Sequence, residues 1–317
     1  MTGIEKYSII KFMGLSGFIV INHFGVPGQS VLQAERLKEE FLLRGVNIKT
    51  VPGGALKAGI TGGALSSAAC GADFAVYLDK DKYLSAVLEG LGIRLFNRHT
   101  PIRLCDDKGE TCLALAGAGL NLPDTVFAPL CYDEHAPLDK EYLSNVADRL
   151  GYPLIVKESY GSMGKGVYLA EDFERLTEIC GKIKTKPHIF QQYFSLRRGT
   201  DMRVIVIGGR ARAAMLRINE NDFRSNIARG GRGETADIST PENKAFIRAA
   251  ERAAEVLGLD YCGVDLLFGD GGEPVICEVN SNAFFNGIES ATGINIAAQY
   301  AEYIIKTVER EKAFNGK

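Results

Sequence analysis

The run GVDLLFGDGGEPVICEVN, residues 263–280, constrains this chain more than any other stretch. Two short strands, 263–268 and 274–280, flank Gly271 and Gly272, a pair that suits the positive φ values of a tight hairpin turn. With that pair as a two-residue turn, Asp270 faces Glu273, Leu267 faces Ile276 and Asp265 faces Glu278. Directly opposed residues on antiparallel strands have Cβ atoms roughly 4.5–5.5 Å apart and like charges there repel, so this pairing asks for a cation between the two carboxylates. Alternation along the strand puts Asn280 on the side of Glu278 and turns Val275, Cys277 and Val279 toward apolar surroundings. Asp265, Glu278 and Asn280 then form an all-oxygen set of the kind that suits Mg²⁺ or Mn²⁺. The same pattern also fits the polar face of a solvated hairpin.

The remaining chain has the size and composition to support such a site. Its 317 residues are 46% hydrophobic and 24% charged, which is ordinary for a globular protein of two or three domains. A net charge of −2 gives no polybasic field, so nucleic acid is not indicated as a partner. The seven cysteines, at 70, 105, 112, 131, 180, 262 and 277, form no C-x-x-C pair and no zinc-like spacing. Their odd number suits thiols in a reducing compartment. The apolar stretch 12–21 is broken by glycines and Ser16 and is too short to cross a bilayer. These features predict a cytoplasmic protein with no membrane partner.

Strands at 18–22, 46–51, 74–78 and 93–96 alternate with helices at 31–44 and 81–91, the pattern of an open, mainly parallel α/β sheet over roughly residues 15–98. Ligands of such sheets sit at the carboxyl ends of the strands, which makes the loop from Asn22 to Ser30 a candidate substrate wall or a plain connector. A domain boundary is expected near residue 99. Helices at about 108–117 and 138–150 then lead to a strand ending at Lys157.

The segment VKESYGSMGKGVYLA, residues 156–170, combines that lysine with the loop GSMGKG. Gly161, Ser162, Gly164 and Gly166 let backbone N–H groups wrap an anion, while a lysine supplies a point charge for phosphate. A glycine-rich hairpin turn reads the same way, and no G-K-[ST] opens a helix here. A strand at 188–194, HIFQQYF, precedes a hairpin turned at Gly208 and Gly209, with Asp201 and Arg203 on one side of its first strand and Arg217 near the end of its second. The basic loop 219–233 is longer than a connector needs to be, which points to function over mere solvation. Helices at 242–257 and 295–308 complete the chain.

This order of parts resembles the ATP-grasp superfamily, and within it the RimK-like carboxylate–amine ligases of the glutamate-ligase type. It comprises a strand-end lysine, a Gly-Ser loop, QQYF, G-x-D-x-R, DFRSN-x(3)-GG and EVN-x(6)-GIE, over roughly residues 105–300. The resemblance implies two α+β subdomains clamping ATP, at 99–187 with the glycine-rich lid and at 188–317 with the metal site, after an N-terminal open α/β domain at 1–98. It implies that Lys157 and Lys108 contact the ATP phosphates beneath residues 161–166, and that Gln192 and Tyr193 lie along the adenine. The family usually has Glu at the position of Gln192, and an amide oxygen can accept the same hydrogen bond. Asp201 matches the ribose-side acid, Arg224, Ser225 and Asn226 the nucleotide-facing loop, and Asp265, Glu278 and Asn280 the ligands of Mg²⁺ or Mn²⁺, with two ions expected. Arg217, and next Arg203, would hold an acyl phosphate. The implied reaction joins a carboxylate to an amino acid or other amine at the expense of ATP. Ligation of two small amino acids, or a nucleotide-binding regulatory role without turnover, are the competing readings. The resemblance leaves room for a homo-oligomer. After EVN the family commonly has a Pro-Gly turn, whereas this chain continues SNAFFNG; Phe284 and Phe285 would reshape the acceptor pocket and make glutamate uncertain as the added amino acid.

Overall fold

The computed structural model describes residues 14–24, 28–69, 71–227 and 230–315. The chain divides between Arg98 and His99 and again between Ile294 and Asn295, giving a first unit that holds both ends of the chain and a second that holds its middle.

The first unit contains β1 (Gly17–Ile21), α1 (Gly28–Leu43), β2 (Lys49–Pro52), a small hairpin of β3 (Gly59–Thr61) and β4 (Ala64–Ser66), then β5 (Phe74–Leu78), α2 (Lys82–Gly90) and β6 (Arg94–Phe96). Four of these strands lie in the order β2-β1-β5-β6, every neighbour parallel, which is the open sheet expected for 15–98. All five residues of β5, FAVYL, are buried, as a strand covered on both faces must be. The β3–β4 hairpin turns at Gly62 and Gly63, both at positive φ. Residues 25–27 of the candidate wall lie outside the described residues, and Gly28–Ser30 already belong to α1.

The terminal helix, Ile296–Asn315, packs in this first unit and not with the last subdomain as expected. Its Tyr300 hydroxyl donates to the Phe96 carbonyl at 3.2 Å, and Asn295 just before it donates to Glu40 at 2.7 Å. Tyr303 packs edge-on against Phe96 with 6.2 Å between ring centres.

The second unit opens with α3 (His99–Asp106) and α4 (Lys108–Leu115), then β7 (Thr125–Phe127), α5 (Lys140–Leu150), β8 (Leu154–Glu158), β9 (Val167–Ala170), α6 (Phe173–Ile183) and β10 (His188–Gln192). It continues with β11 (Thr200–Ile207), β12 (Arg210–Ile218), β13 (Arg232–Ala236), α7 (Lys244–Leu257), β14 (Tyr261–Phe268), β15 (Pro274–Asn280) and α8 (Asn286–Thr292). Aspartates 107, 139 and 172 cap α4, α5 and α6 by accepting from first-turn N–H groups, each cap contributing about 1 kcal/mol.

Two antiparallel sheets result, β7-β10-β8-β9 and β13-β12-β11-β14-β15. Strand β10 pairs with β8, so residues 188–192 belong to the smaller sheet, and a division at 187/188 cuts through it. Strand alternation gives each sheet one apolar face. Leu154, Val156 and Phe190 pack on α5 and α6, and Met202, Val264 and Leu266 pack on α7 through its buried Phe246, Ala250, Ala253, Ala254 and Leu257. The opposite faces, carrying Ile155 and Lys157 on one sheet and Asp201, Asp265 and Leu267 on the other, line a common cleft. Phe285 is fully buried. No helix among the described residues is long and apolar enough to cross a membrane.

Candidate nucleotide and metal site

The β14–β15 hairpin brings Asp265 opposite Glu278, but by a different route from the one a two-residue turn gives. Gly269 donates its N–H to the Glu273 carbonyl at 2.8 Å, so the turn spans Asp270, Gly271 and Gly272, with Gly272 at φ +83°. Phe268 then pairs with Pro274, Leu267 with Val275 and Leu266 with Ile276. Cys277 is the extra residue of a bulge that restores Asp265 to Glu278. The bulge also turns Cys277 into the cleft, not toward apolar surroundings; its Sγ lies 3.8 Å from the Lys157 Nζ. Burial pushes the Cys277 thiol above its ordinary pKa against the pull of Lys157.

Register across the larger sheet assembles a row of charges. Asp201 on β11 pairs with Arg217 on β12, and Arg203, two residues on and so on the same face, pairs with Asp265 on β14. Arg217 is 3% exposed; its Nε donates to Asp201 Oδ1 at 2.7 Å, and its Nη2 serves both Asp201 and, at 2.8 Å, Asp265. Arg203 forks onto Asp265, with Nε to Oδ1 and Nη2 to Oδ2 both at 2.7 Å. Ser225 adds its hydroxyl to Asp201 at 2.5 Å. Burial favours the neutral form of Asp265, but Arg203 and Arg217 outweigh it and hold the carboxyl below its ordinary pKa. Burial likewise opposes the charge on Arg217, and Asp201 and Asp265 overcome it, raising the guanidinium's pKa.

The row therefore sets two guanidiniums against three carboxylates, and Glu278 is left over. Among the described residues Glu278 forms no ion pair, yet it lines the cleft. An unmatched carboxylate beside a charge-saturated Asp265 is a fit for a divalent cation, whose ligands are typically one or two carboxylates completed by water and phosphate oxygens. Asn280 sits opposite Gly263 with a buried Nδ2 that has no hydrogen-bond partner; it is not among the described side chains lining the cleft. Arg203 and Gly166 also stay outside that lining.

The cleft encloses about 920 Å³, including space open to solvent. It brings together Lys108, Lys157, Gly161, Ser162, Gly164, Gln192, Tyr193, Asp201, Arg217, Arg224, Ser225, Asn226, Asp265 and Glu278. Lys157, next to last in β8, is 8% exposed, while Lys108 begins α4 and donates to the Gly161 carbonyl at 3.0 Å. The glycine loop is shaped by positive φ at Gly161, Gly164 and Gly166, and a Cβ on Gly166 would come within 3.0 Å of the Glu158 side chain. Gln192 is tied to the Asp124 carbonyl through its backbone N–H at 2.9 Å, and the Tyr193 hydroxyl is buried without a partner.

Sequence reasoning passed over Ile155, Leu267, Gln191 and Cys277, which also line the cleft. A period of two would have found the first two, since Ile155 is two residues from Lys157 and Leu267 two from Asp265. Gln191 is 2% exposed, donates to Thr125 Oγ1 at 3.0 Å and keeps a buried, unpartnered Oε1. No pattern in the sequence separates it from Gln192.

Comparison with known proteins agrees with this geometry. Residues 105–304 match the family model described as the RimK-like ATP-grasp domain. The chain is 36% identical over 230 residues to human (Homo sapiens) N-acetylaspartylglutamate synthase A, a match covering 72% of this chain and 56% of that protein; it thus spans little more than half the length of that relative. It is also 36% identical over 227 residues to a probable alpha-L-glutamate ligase of Maridesulfovibrio salexigens, covering 71% of each. Among solved structures, the ATP-grasp ligase PsnB complexed with minimal precursor, Mg and ADP superposes with a TM-score of 0.67 over 92% of this chain and 98% of that one, at 16% identity, which speaks for the fold alone. This chain belongs to the RimK-like ATP-grasp family.

Proposed function

We propose that this protein is an ATP-dependent carboxylate–amine ligase that forms an amide bond through an acyl phosphate. The observation that carries the reading is the unmatched Glu278 carboxylate, facing a cleft that also holds Lys157, Lys108 and a glycine-rich loop. Ile155 and Leu267, reaching in from opposite sheets, offer apolar surfaces for the adenine ring, and Gln191 to Tyr193 run beside them with polar groups for its edge. Lys157 and Lys108 supply positive charge where phosphates would lie under residues 161–166. Glu278 would be the principal metal ligand, with Asp265 beside it in the cleft; two Mg²⁺ ions are the count we expect, and Mn²⁺ suits the same donors. The bound metal would neutralise phosphate charge as the terminal phosphoryl group moves.

In the first step the substrate carboxylate oxygen attacks the γ-phosphorus and the bond to ADP breaks. In the second, the amine nitrogen attacks the acyl carbon, phosphate leaves and the nitrogen loses a proton. The protein needs no nucleophile of its own, and its work is positioning and charge stabilisation. Arg217, locked by Asp201 and Asp265, presents a fixed cation to the transferring group. Asp201 acts chiefly as its holder, because Arg217 and Ser225 occupy both its oxygens.

ADP release with Mg²⁺, measured across a panel of amines and acceptor carboxylates, tests the proposal. The relatives' names put glutamate first in the panel, with an N-acylated amino acid as the first acceptor. Release that depends on the amine supports the ligase, whereas tight ATP binding that no amine or carboxylate converts into turnover supports a regulatory nucleotide-binding role instead.

A further inference from the structure

The resemblance assigns Arg224 to the nucleotide, but its guanidinium is engaged elsewhere. Nε lies 3.0 Å from Asp222 Oδ1 and Nη2 lies 2.7 Å from Oδ2, so the Asp222 carboxylate grips one edge of the fork. The other edge points away from that grip, and Nη1 donates to the carbonyls of Gly164 at 3.2 Å and Val167 at 3.3 Å. Both acceptors belong to the glycine-rich loop or its exit into β9, some sixty residues earlier in the chain. The Phe223 ring lies beneath the guanidinium, 5.0 Å from ring centre to Cζ.

The base of this arm is rigid. A Cβ on Gly199 would fall 2.1 Å from the Asn219 carbonyl oxygen and 2.6 Å from that of Asp222, so only glycine lets the 219–222 backbone fold down onto the start of β11. Asn219 is pinned there by its N–H to the Gly199 carbonyl at 2.8 Å. At the far side, Gly231 lies so close to the Ser225 and Asn226 carbonyls that a Cβ would come within 2.5 Å and 3.1 Å of them. The partner surface has the opposite character. Its glycines all have positive φ, Met163 joins them at φ +56°, and Lys165 N–H to Ser162 carbonyl, at 3.1 Å, is a local turn. A loop rich in glycine loses more conformational entropy on ordering than other sequences and needs an external tie to stay put.

We propose that Arg224 is a latch: aimed by Asp222, it ties the glycine-rich loop of the smaller sheet to the 219–227 arm of the larger one and so sets how firmly the cleft is closed. Arg224 is thus a positioning residue. It couples the two loops through main-chain carbonyls, a contact that leaves the side chains of the glycine loop free to vary. The inference deepens the nucleotide reading of the cleft but stands on contacts made without a nucleotide.

Hydrogen–deuterium exchange of the full chain, without nucleotide, separates the possibilities. Arg224→Ala removes two hydrogen bonds from a charged donor, and amides 161–167 should exchange at least about tenfold faster while those of β11 and β14 keep their wild-type rates. Arg224→Lys keeps one cationic donor and should recover part of the protection. Asp222→Asn preserves size but loosens the grip, and should raise exchange in the same segment by a smaller factor. Should Arg224→Ala destabilise the whole chain, the Asp222→Asn and Arg224→Lys arms decide. Unchanged exchange at 161–167 in a folded Arg224→Ala variant, with only ATP affinity lost, would overturn the latch and return Arg224 to the nucleotide. Failure of the chain to bind ATP would sink the ligase reading while leaving the exchange result to stand by itself.

Discussion

At the scale of single residues, the site is governed by a charge count. Arg203 and Arg217 are consumed by Asp201 and Asp265, so removing one arginine strands buried carboxylates, whereas removing Glu278 strands nothing. Arg217→Ala should therefore lower stability by about 3–5 kcal/mol, the usual consequence of breaking a buried ion pair from one side. Glu278→Gln relieves repulsion from Asp265 and should leave stability unchanged or slightly raised. Urea denaturation at neutral pH reads both, and comparable losses in the two variants would show that Glu278 has a structural partner after all. Such an opposition of stability and function is the mark of a group kept for a ligand.

At the scale of elements, the smaller sheet contains a titratable group with a clear sign. His188 opens β10 at 7% exposure, its Nδ1 donating to the Lys186 carbonyl at 2.7 Å and its ring edge-on to Phe190. Burial lowers its pKa below the ordinary value of 6.5, against the opposing pull of that hydrogen bond and of Glu158. The unfolded chain then binds the proton more readily, so stability falls as pH drops below about 6.5 and until the folded group itself titrates. His188→Gln should flatten the pH dependence of Tm just below about pH 6.5. An unchanged slope would assign that dependence to other groups. The carboxylates held low by their partners, Glu40, Asp73 and Glu158 among them, add a further loss of stability only at more acidic pH.

Elements also show how much was legible beforehand. Gly208 and Gly209, both at positive φ, make the expected two-residue turn between Ile207 and Arg210, and the bulge that follows at Arg212 lies beyond it and leaves the turn intact. The β14–β15 turn defeats the same reasoning, since Asp270 joins Gly271 and Gly272 in a three-residue loop and the slip is made good by the bulge at Cys277. Two offsetting irregularities leave Asp265 and Glu278 opposed, and neither leaves a mark in composition. Helix α6 was passed over although Asp172 caps it and Leu176, Ile179, Cys180 and Ile183 share its buried face. That spacing is the helical period and is readable in the sequence. The pairing of Asp201 with Arg217 and of Arg203 with Asp265 depends on long-range register that no local pattern carries.

For the whole molecule, the return of the terminal helix to the first unit is what sequence order conceals. Ile296, Ala297, Tyr300, Ala301, Ile304, Ile305 and Val308 are buried, and at about 1.5–3 kcal/mol for each large side chain their loss exceeds what a small sheet domain can absorb. A chain ending at Ile294 should have residues 14–98 digested rapidly in limited proteolysis while 99–294 stays protected. Equal protection of both segments would contradict the division. The same middle unit carries every residue of the proposed reaction, so its chemistry can be read directly. The decisive measurement is mass spectrometry of the mixture of intact chain, ATP, Mg²⁺, acceptor carboxylate and amine, with ADP followed in parallel. The account predicts a new amide heavier than the acceptor by the amine less one water, formed mole for mole with ADP and absent with Glu278→Gln. ADP appearing at the same rate with or without any amine, or undiminished in the Glu278→Gln variant, would contradict it.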